Sequence, residues 1–306
     1  MDRRRFLKTT VIGAAAGLMR PDGNSAVLEI EQKPVVLEIQ AAPKAAITAL
    51  FKQFGGLQHF IKTDLANATV ILKPNLCLPQ PSERGITTSP DLLAELCTYL
   101  SANGVGKIII VDHTLQEKSV RSQQFELSSF AQQNPNVKFL LANQQRFYLP
   151  THVAGKQLKQ TEILKLLQRA DLCINLPTAK HHSATHVSLS MKNLMGLIWD
   201  RSVFHTGMDL HQAIADLATA IRPGLNILDA SRILLNGGPT GPGPILTENR
   251  YFAAIDPVAL DSVVVSRYSF GGRNITARDV RHLEAAHQLG IGEIDLTKID
   301  LKQIQS

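Results

Sequence analysis

Cysteine is scarce in this 306-residue sequence, which contains only Cys77, Cys97 and Cys173. No two of them follow a C-x-x-C spacing, so the sequence gives no support for a zinc ribbon or a cysteine-ligated iron–sulfur cluster. Three cysteines allow at most one disulfide within the chain. Cys97 lies in a helical pattern and Cys173 in an apolar run, both typical of small core residues, whereas Cys77 is expected nearer the site described below.

A basic patch interleaved with aromatic residues is also missing. The formal net charge is +6 and the aromatic content is 5%. Residues 1–26 carry five basic and two acidic side chains, so the rest of the chain has a net charge of only +3. This balance gives no case for nucleic acid as a partner.

The N-terminus has no uncharged run that could span a bilayer, because Thr9–Met19 falls short of the roughly 20 residues required. That run follows RRRFLK at 3–8, and together they resemble a twin-arginine export signal. We therefore expect a signal segment at 1–26, a linker at 27–34, the twin-arginine export machinery as a partner, and a periplasmic or otherwise extracytoplasmic location. A stable transmembrane span is expected only if the signal stays uncleaved. The alternative is a basic N-terminal helix on a cytoplasmic protein.

Strand and helix patterns alternate along the remaining chain. Lys107–Val111 is almost uniformly apolar, as parallel strands buried on both faces are. The sequence predicts an α/β fold, with a mostly parallel sheet and helices on both faces in three layers, as a single domain over 35–306. Strands are predicted at 35–39, 68–72, 107–111, 137–141, 172–176, 225–229 and 251–255. Helices are predicted at 43–54, 90–102, 117–133, 161–169, 209–221, 257–268 and 276–289.

Polar side chains follow the predicted strands at their carboxyl ends, the edge where open α/β sheets bind ligands. A mixture of lysine, imidazole and carboxylate favours acid–base chemistry on a small anion, carboxylate or phosphate. In this interpretation lysines neutralise the anion, His182 transfers protons, and an aspartate orients the imidazole. The candidate catalytic residues are Lys180, His182, Lys192, Asp229 and Asp256. The candidate substrate-binding residues are Lys73, Asn75, Thr88, Asn193, Gly238 and Gly241.

A divalent transition metal is a further hypothesis, because imidazole and carboxylate together suit zinc, nickel, copper or iron. The candidate ligands are His181, His182, His186 and His205. Their spacing matches no firm signature such as H-E-x-x-H. His182 and His186 are four residues apart and share a face only if that stretch is helical.

Each candidate also has a structural interpretation. Lys180 and Lys192 could be surface lysines. Asn75 and Asn193 could fasten turns through their own backbone. The aspartates at strand ends could cap loops without taking part in any chemistry.

Eight motifs in fixed order resemble the domain of unknown function 362 (DUF362) family. They are KPN at 73–75, TTSPD at 87–91, a strand ending in Asp112, NLP-x-x-K-x-H at 175–182, S-x-K-N-x-x-G at 190–196, DLA at 216–218, GGPTGPGP at 237–244 and DPVALD at 256–261. The resemblance implies an α/β domain whose general activity is not established. Many members add a ferredoxin-like segment with clustered cysteines, which this sequence lacks. The family's usual Lys-Thr-His is Lys180-His181-His182 here, so His182 fills the family position.

Three functions are compatible with these patterns. The first is an exported enzyme that acts on a small anion by acid–base chemistry, and the second is a metal-dependent enzyme. The nickel-pincer lactate racemase, which uses lysine and histidines in an α/β cleft, is a distant analogy for the second. The third is a periplasmic binding or maturation protein that holds a ligand or cofactor for a partner without catalysis.

Overall fold

A ten-stranded sheet organises the computed structural model, which describes residues 32–78, 80–115 and 130–305. The strands are β1 (Val35–Gln40), β2 (Thr69–Pro74), β3 (Lys107–Asp112), β4 (Val137–Leu141), β7 (Leu172–Leu176), β8 (Thr178–His182), β9 (His186–Ser188), β10 (Leu225–Leu234), β11 (Ile245–Ala254) and β12 (Asp300–Gln305). A separate hairpin pairs β5 (Tyr148–His152) with β6 (Gln160–Leu164).

Strand order in the large sheet is β12-β1-β11-β10-β7-β2-β3-β4. Neighbours from β10 to β4 pair in parallel, as do β1 and β12, whereas β11 is antiparallel to both β1 and β10. The hairpin of β8 and β9 is attached through parallel pairing of β8 with β10. The predicted mostly parallel sheet is therefore confirmed.

Helices cover both faces of this sheet. They are α1 (Pro43–Gln53), α2 (Pro90–Ala102), α3 (Ser190–Asn193), α4 (Val203–Thr206), α5 (Leu210–Ala220), α6 (Pro257–Arg267) and α7 (Arg281–Gln288). Successive strand residues point to opposite faces: Leu72 packs in the core with α1 and α2, whereas Ile71 packs in the core with α5, α6 and α7. The three-layer architecture follows from this alternation.

Local chemistry explains where several helices begin. Proline occupies the first position of α1, α2 and α6, where its missing N–H is not needed and its fixed φ suits the helix. Asp209 caps α5 and Asp256 caps α6, each through a side-chain oxygen that accepts two backbone N–H groups. These ends are encoded by neighbouring residues, and they agree with the sequence patterns within a residue or two.

Two predicted helices differ from the structure. The helix predicted at 161–169 is wrong, because Gln160–Leu164 is a strand whose backbone pairs with β5, followed by a 3-10 helix at Lys165–Arg169. The helix predicted at 276–289 is a 3-10 turn at Ala277–Asp279 and then the shorter α7. In both places tertiary pairing or a capping turn overrides the local periodicity.

After the predicted strand at 172–176, the chain continues in the sheet as β8 and β9. The described chain from Lys33 onward forms one compact unit. The predicted signal segment at 1–26, most of the linker at 27–34 and residues 117–129 lie outside the described residues. Within the described part, none of the helices has the length and apolar character needed to cross a membrane.

Candidate functional site

A cavity of about 500 Å³ opens at the carboxyl edge of the parallel strands. Its walls come from the residues that follow β2 and β3, from the β8–β9 hairpin, from α3 and the residues after it, and from the loop before β11. The polar residues that line it are Lys73, Asn75, Cys77, His113, Lys180, His182, Ser188, Lys192, Asn193, Asp200, Arg201, Ser202 and Thr240. The topology thus brings together most of the polar residues predicted at the strand ends.

Lys73, at the end of β2, is fully buried and fully partnered. Its Nζ lies 2.9 Å from Asp112 Oδ1 and donates to Pro74 O at 2.6 Å and to Asn193 Oδ1 at 3.2 Å. An ammonium has three protons, so this set satisfies it. The other Asp112 oxygen accepts the Leu76 N–H at 2.6 Å. Lys73 is therefore a neutralised part of the cavity wall.

α3 is fixed beneath the cavity by a buried polar network. Asn193 Nδ2 donates to Asn175 Oδ1 at 2.8 Å, and Asn175 Nδ2 donates to Asn226 Oδ1 at 2.9 Å, which ties α3 to β7 and β10. Asp261, from α6, accepts the backbone N–H groups of Ser190 and Met191 at 2.9 Å each. Lys192 is consequently held on a short helix anchored at both ends.

Lys180 and Lys192 are the cavity lysines without an acidic partner among the described residues. Lys180 is 3% exposed, and its Nζ donates to Ile86 O at 2.6 Å. Burial lowers its pKa to about 8, and the nearby Lys192 charge acts in the same direction. Burial also lowers the pKa of Lys192 to about 8, assisted by Arg201. Desolvation disfavours the ammonium form in both cases.

Arg201 adds a third cation to the same cavity. Its Nη2 donates to His113 O at 2.9 Å, and its Nη1 donates to Cys77 Sγ at 3.3 Å. In the described part of the chain, no carboxylate forms an ion pair with Arg201, Lys180 or Lys192. The acidic residue of the lining, Asp200, is exposed at the rim, where it accepts hydrogen bonds from Ser202.

Two aromatic side chains, His113 and Trp199, line the same cavity. The rings of His113 and Trp199 stack with centroids 5.2 Å apart and an interplanar angle of 2°. His113 Nδ1 lies 3.1 Å from Ile198 O. Burial lowers the pKa of His113, and the Arg201 charge lowers it further. Trp199 is the single tryptophan of the sequence, so its fluorescence reports on this cavity alone.

Asn75 is 5% exposed and lines the cavity. Its backbone N–H donates to Thr88 Oγ1 at 2.7 Å, but its side-chain Oδ1 is buried without a hydrogen-bond partner in the described structure. A buried acceptor of this kind costs free energy unless a partner arrives. Asn75 Oδ1 is thus an unsatisfied buried acceptor in the residue that lines this part of the cavity.

The histidines predicted as metal ligands do not form one cluster. His181 Nδ1 accepts the Gly238 N–H at 3.1 Å, and His182 Nδ1 accepts the Ala184 N–H at 3.2 Å. His182 and His186 lie opposite each other in the hairpin, not on one helical face. The side chain of His205 lies outside what the structure describes. Among the described residues, no group of three or more His, Cys, Asp or Glu side chains is placed to hold a metal ion.

Asp229 and Asp256, predicted to orient His182, lie outside the cavity lining. Asp229 is buried and accepts the backbone N–H groups of Ser89 and Ser231, at 2.8 and 3.0 Å. Asp256 caps α6 and also accepts the Glu293 N–H at 2.9 Å. In the described structure these oxygens accept hydrogen bonds from backbone N–H groups, and the role predicted for them in orienting His182 stays a prediction.

The remaining predicted site residues, Thr88, Gly238 and Gly241, are not part of the cavity lining but belong to segments that border it. Thr88 Oγ1 donates to Leu176 O at 2.7 Å, which joins the loop after β2 to β7. A Cβ on Gly238 would lie 1.8 Å from His181 O, so only glycine allows this approach. Gly241 has φ +73° and turns the same loop. Pro239 and Thr240, between the two glycines, are the residues that reach the cavity.

His113, Trp199 and Arg201 were absent from the candidate list predicted from the sequence. His113 directly follows Asp112 at the end of β3, and this strand-end position was the available signal. Trp199 and Arg201 lie a few residues beyond Gly196, in the same segment as the predicted lysines. Their convergence depends on how this segment folds across the sheet edge.

Comparison with known proteins gives a family match, a protein of similar sequence and a solved structure that superposes in part. The family model described as domain of unknown function (DUF362) matches residues 70–266. A thylakoid-associated protein of Synechocystis sp. strain PCC 6803 is 25% identical over 235 residues, which cover 72% of this chain and 68% of that protein. The lactate racemase apoprotein from Thermoanaerobacterium thermosaccharolyticum superposes with a TM-score of 0.48 and 12% identity, over 78% of this chain and 58% of that one.

Proposed function

The chain belongs to the DUF362 family, and from this premise we propose that it is an exported enzyme that acts on a small anion, a carboxylate or a phosphate, by acid–base chemistry. One observation carries the proposal: Lys180, Lys192 and Arg201 line a single cavity, and no described carboxylate is paired with any of them. The twin-arginine-like sequence at 3–8 supports export.

Electrostatics favours an anionic ligand here. Burying an unpaired charge is costly, and a bound carboxylate or phosphate offsets that cost for several cations at once. Lys73 does not compete for the ligand, because Asp112 already neutralises it. The cavity therefore attracts the anion through Lys180, Lys192 and Arg201 and not through Lys73.

The proposed proton transfers involve Lys180 and His182, both of which line the cavity. A lysine whose pKa is about 8 exchanges a proton near neutral pH far more readily than one at the ordinary 10.5. Lys192 and Arg201 hold the anion, while Lys180 and His182 exchange protons with the part of the substrate that reacts.

Titration of Trp199 fluorescence with phosphate and with small mono- and dicarboxylates tests this proposal. Saturable changes are expected, and Lys192→Gln is expected to weaken binding by about tenfold, the cost of one charge-assisted contact. Lys52→Gln, at an exposed lysine of α1, is the matched control and is expected to change nothing.

A folded protein that binds none of these anions would contradict the proposal. If the protein binds one of these anions but does not convert it, the result would instead favour the alternative function, a non-catalytic binding or maturation protein. Measuring His182→Ala separates the two, because a binder loses only affinity, whereas an enzyme loses its turnover.

A further inference from the structure

The three lysines of the cavity differ in what holds their amino groups. Lys73 Nζ has three acceptors, and Lys180 Nζ has one, the Ile86 carbonyl. For Lys192, no hydrogen bond or ion pair is found among the described residues. A lysine that is mostly buried, unpartnered and beside other cations has the environment that activates an amine as a nucleophile.

We propose that Lys192 Nζ forms a Schiff base with the carbonyl carbon of a small acid, an aldehyde acid or a 2-oxo acid. This inference deepens the proposed function and rests on it, because the acidic group of the ligand is the anion that the cavity holds. The geometry supplies three requirements: an amine on an anchored helix, a cation for the acid group and the Lys180 ammonium as a donor to the carbonyl oxygen.

The backbone that carries Lys192 is fixed because α3 is anchored. Asp261 accepts both N–H groups at its start, and Asn193, the residue after Lys192, is hydrogen-bonded into the amide network. Holding one reactant in place lowers the entropy lost in the reaction, because folding has already restricted the motion of that reactant. A surface lysine on a flexible side chain lacks this arrangement.

The acid group has a separate cation. Arg201 is oriented by the His113 carbonyl and lines the same cavity as Lys192. A carboxylate beside the carbonyl of a 2-oxo acid therefore meets Arg201 when the carbonyl carbon reaches Lys192. Neutral carbonyl compounds lack this contact and are expected to react more slowly.

The oxygen that leaves also has a proton donor, because Lys180 lines the same cavity. The nitrogen lone pair of Lys192 attacks the carbonyl carbon, and the carbonyl π electrons move to oxygen. A proton passes from nitrogen to that oxygen, which gives a carbinolamine hydroxyl. Lys180, as its ammonium, gives a second proton as the C–O bond breaks. Water leaves, and an iminium with a C=N bond remains, with no change in oxidation state.

Reductive trapping tests this inference. The purified chain is incubated with pyruvate or glyoxylate and sodium cyanoborohydride, then analysed by intact mass and peptide mapping. One adduct per chain, located at Lys192, is the expected result. Acetone at the same concentration is expected to label the site at least about tenfold more slowly, since it lacks the acid group.

Lys192→Arg keeps the positive charge and removes the nucleophile, so it is expected to abolish the adduct while phosphate still changes Trp199 fluorescence. Labelling spread evenly over exposed lysines such as Lys52 and Lys156, or located at Lys180, would overturn the inference. If wild-type protein binds phosphate but forms no adduct, the Schiff base fails while the anion site stands. If it binds no anion, the proposed function itself fails.

Discussion

Gly196 lies directly against Lys73: a Cβ at position 196 would be 2.6 Å from the Lys73 Nζ and 2.4 Å from Asp112 Oδ1. No real Cβ is found so close to such atoms without displacing them. The glycine that ends the S-x-K-N-x-x-G motif is therefore needed for the ion pair of Lys73 with Asp112, and it connects the segment after α3 with the ends of β2 and β3.

Gly196→Ala is expected to separate Lys73 from Asp112 and to lower the free energy of unfolding by about 3–5 kcal/mol, the range for breaking a buried ion pair. Urea denaturation followed by circular dichroism measures the loss. Gly207→Ala is the matched control, because a Cβ there lies at an ordinary 3.5 Å from its nearest neighbour, Val203 O. Equal stability of the two variants would show that the ion pair tolerates the methyl group.

Lys180→Met is expected to stabilise the protein at pH 7. The shift of the Lys180 pKa from 10.5 to about 8 corresponds to roughly 3 kcal/mol of folding free energy. Because the folded pKa is the lower one, this penalty is fully present below pH 8 and disappears as pH rises toward 10.5. The lost hydrogen bond to Ile86 O offsets about 1 kcal/mol.

The unfolding free energy of Lys180→Met is thus expected to exceed that of wild type at pH 7. This excess is expected to fall through zero near the ordinary lysine pKa. Denaturant melts at several pH values between 7 and 10.5 measure it. Lys52→Gln, at an exposed site, is expected to show a difference within about 0.5 kcal/mol that does not change with pH. A pH-independent result for Lys180→Met would contradict the lowered pKa.

The stack of His113 on Trp199 is expected to make tryptophan fluorescence depend on pH. Protonation of the imidazole places a cation against the indole face and quenches its emission. Burial and Arg201 lower the His113 pKa, so the quenching midpoint is expected below 6.5. A bound anion offsets the Arg201 charge, and saturating phosphate is therefore expected to raise that midpoint.

His113→Gln keeps a polar side chain without a titrating ring, and its fluorescence is expected to stay constant through the same pH range. If phosphate lowers the pH midpoint of quenching in the wild-type protein, the anion binds away from His113 and Arg201. Acrylamide quenching at each pH checks that the accessibility of Trp199 to solvent does not change.

Asp261→Asn is expected to loosen α3. An asparagine has one acceptor oxygen where Asp261 offers two, and its NH₂ group faces a backbone N–H of Ser190 or Met191. The expected cost is about 1–3 kcal/mol for the unsatisfied buried group. Because α3 carries Lys192, phosphate affinity measured by Trp199 fluorescence is expected to fall as well.

Asp295→Asn is a suitable comparison, since Asp295 caps an exposed turn through Thr297 N–H. This variant is expected to lose little stability and no phosphate affinity. A full loss of stability in Asp261→Asn with unchanged phosphate affinity would show that Lys192 reaches the anion without the support of α3.

Much of the fold could be predicted from the sequence, because it depends on residues that are close together along the chain. The apolar runs of β2, β3, β7 and β10, the prolines that open helices and the polar residues at strand ends are all local signals, and together they predict a three-layer α/β protein with its polar cluster at one sheet edge. The same signals placed Lys73, Lys180 and Lys192 in that cluster.

Only the tertiary structure decided what each side chain does there. Asp112 neutralises Lys73 but reaches neither Lys180 nor Lys192, and Asp229 hydrogen-bonds the backbone of Ser89, which is 140 residues away in the chain. A hydrogen-bond partner is chosen by packing between distant segments, whereas periodicity and capping are set within a few residues. For that reason the sequence by itself determined the architecture and the set of polar residues at its edge, and the packing decided which of those charges remain unpaired in the cavity.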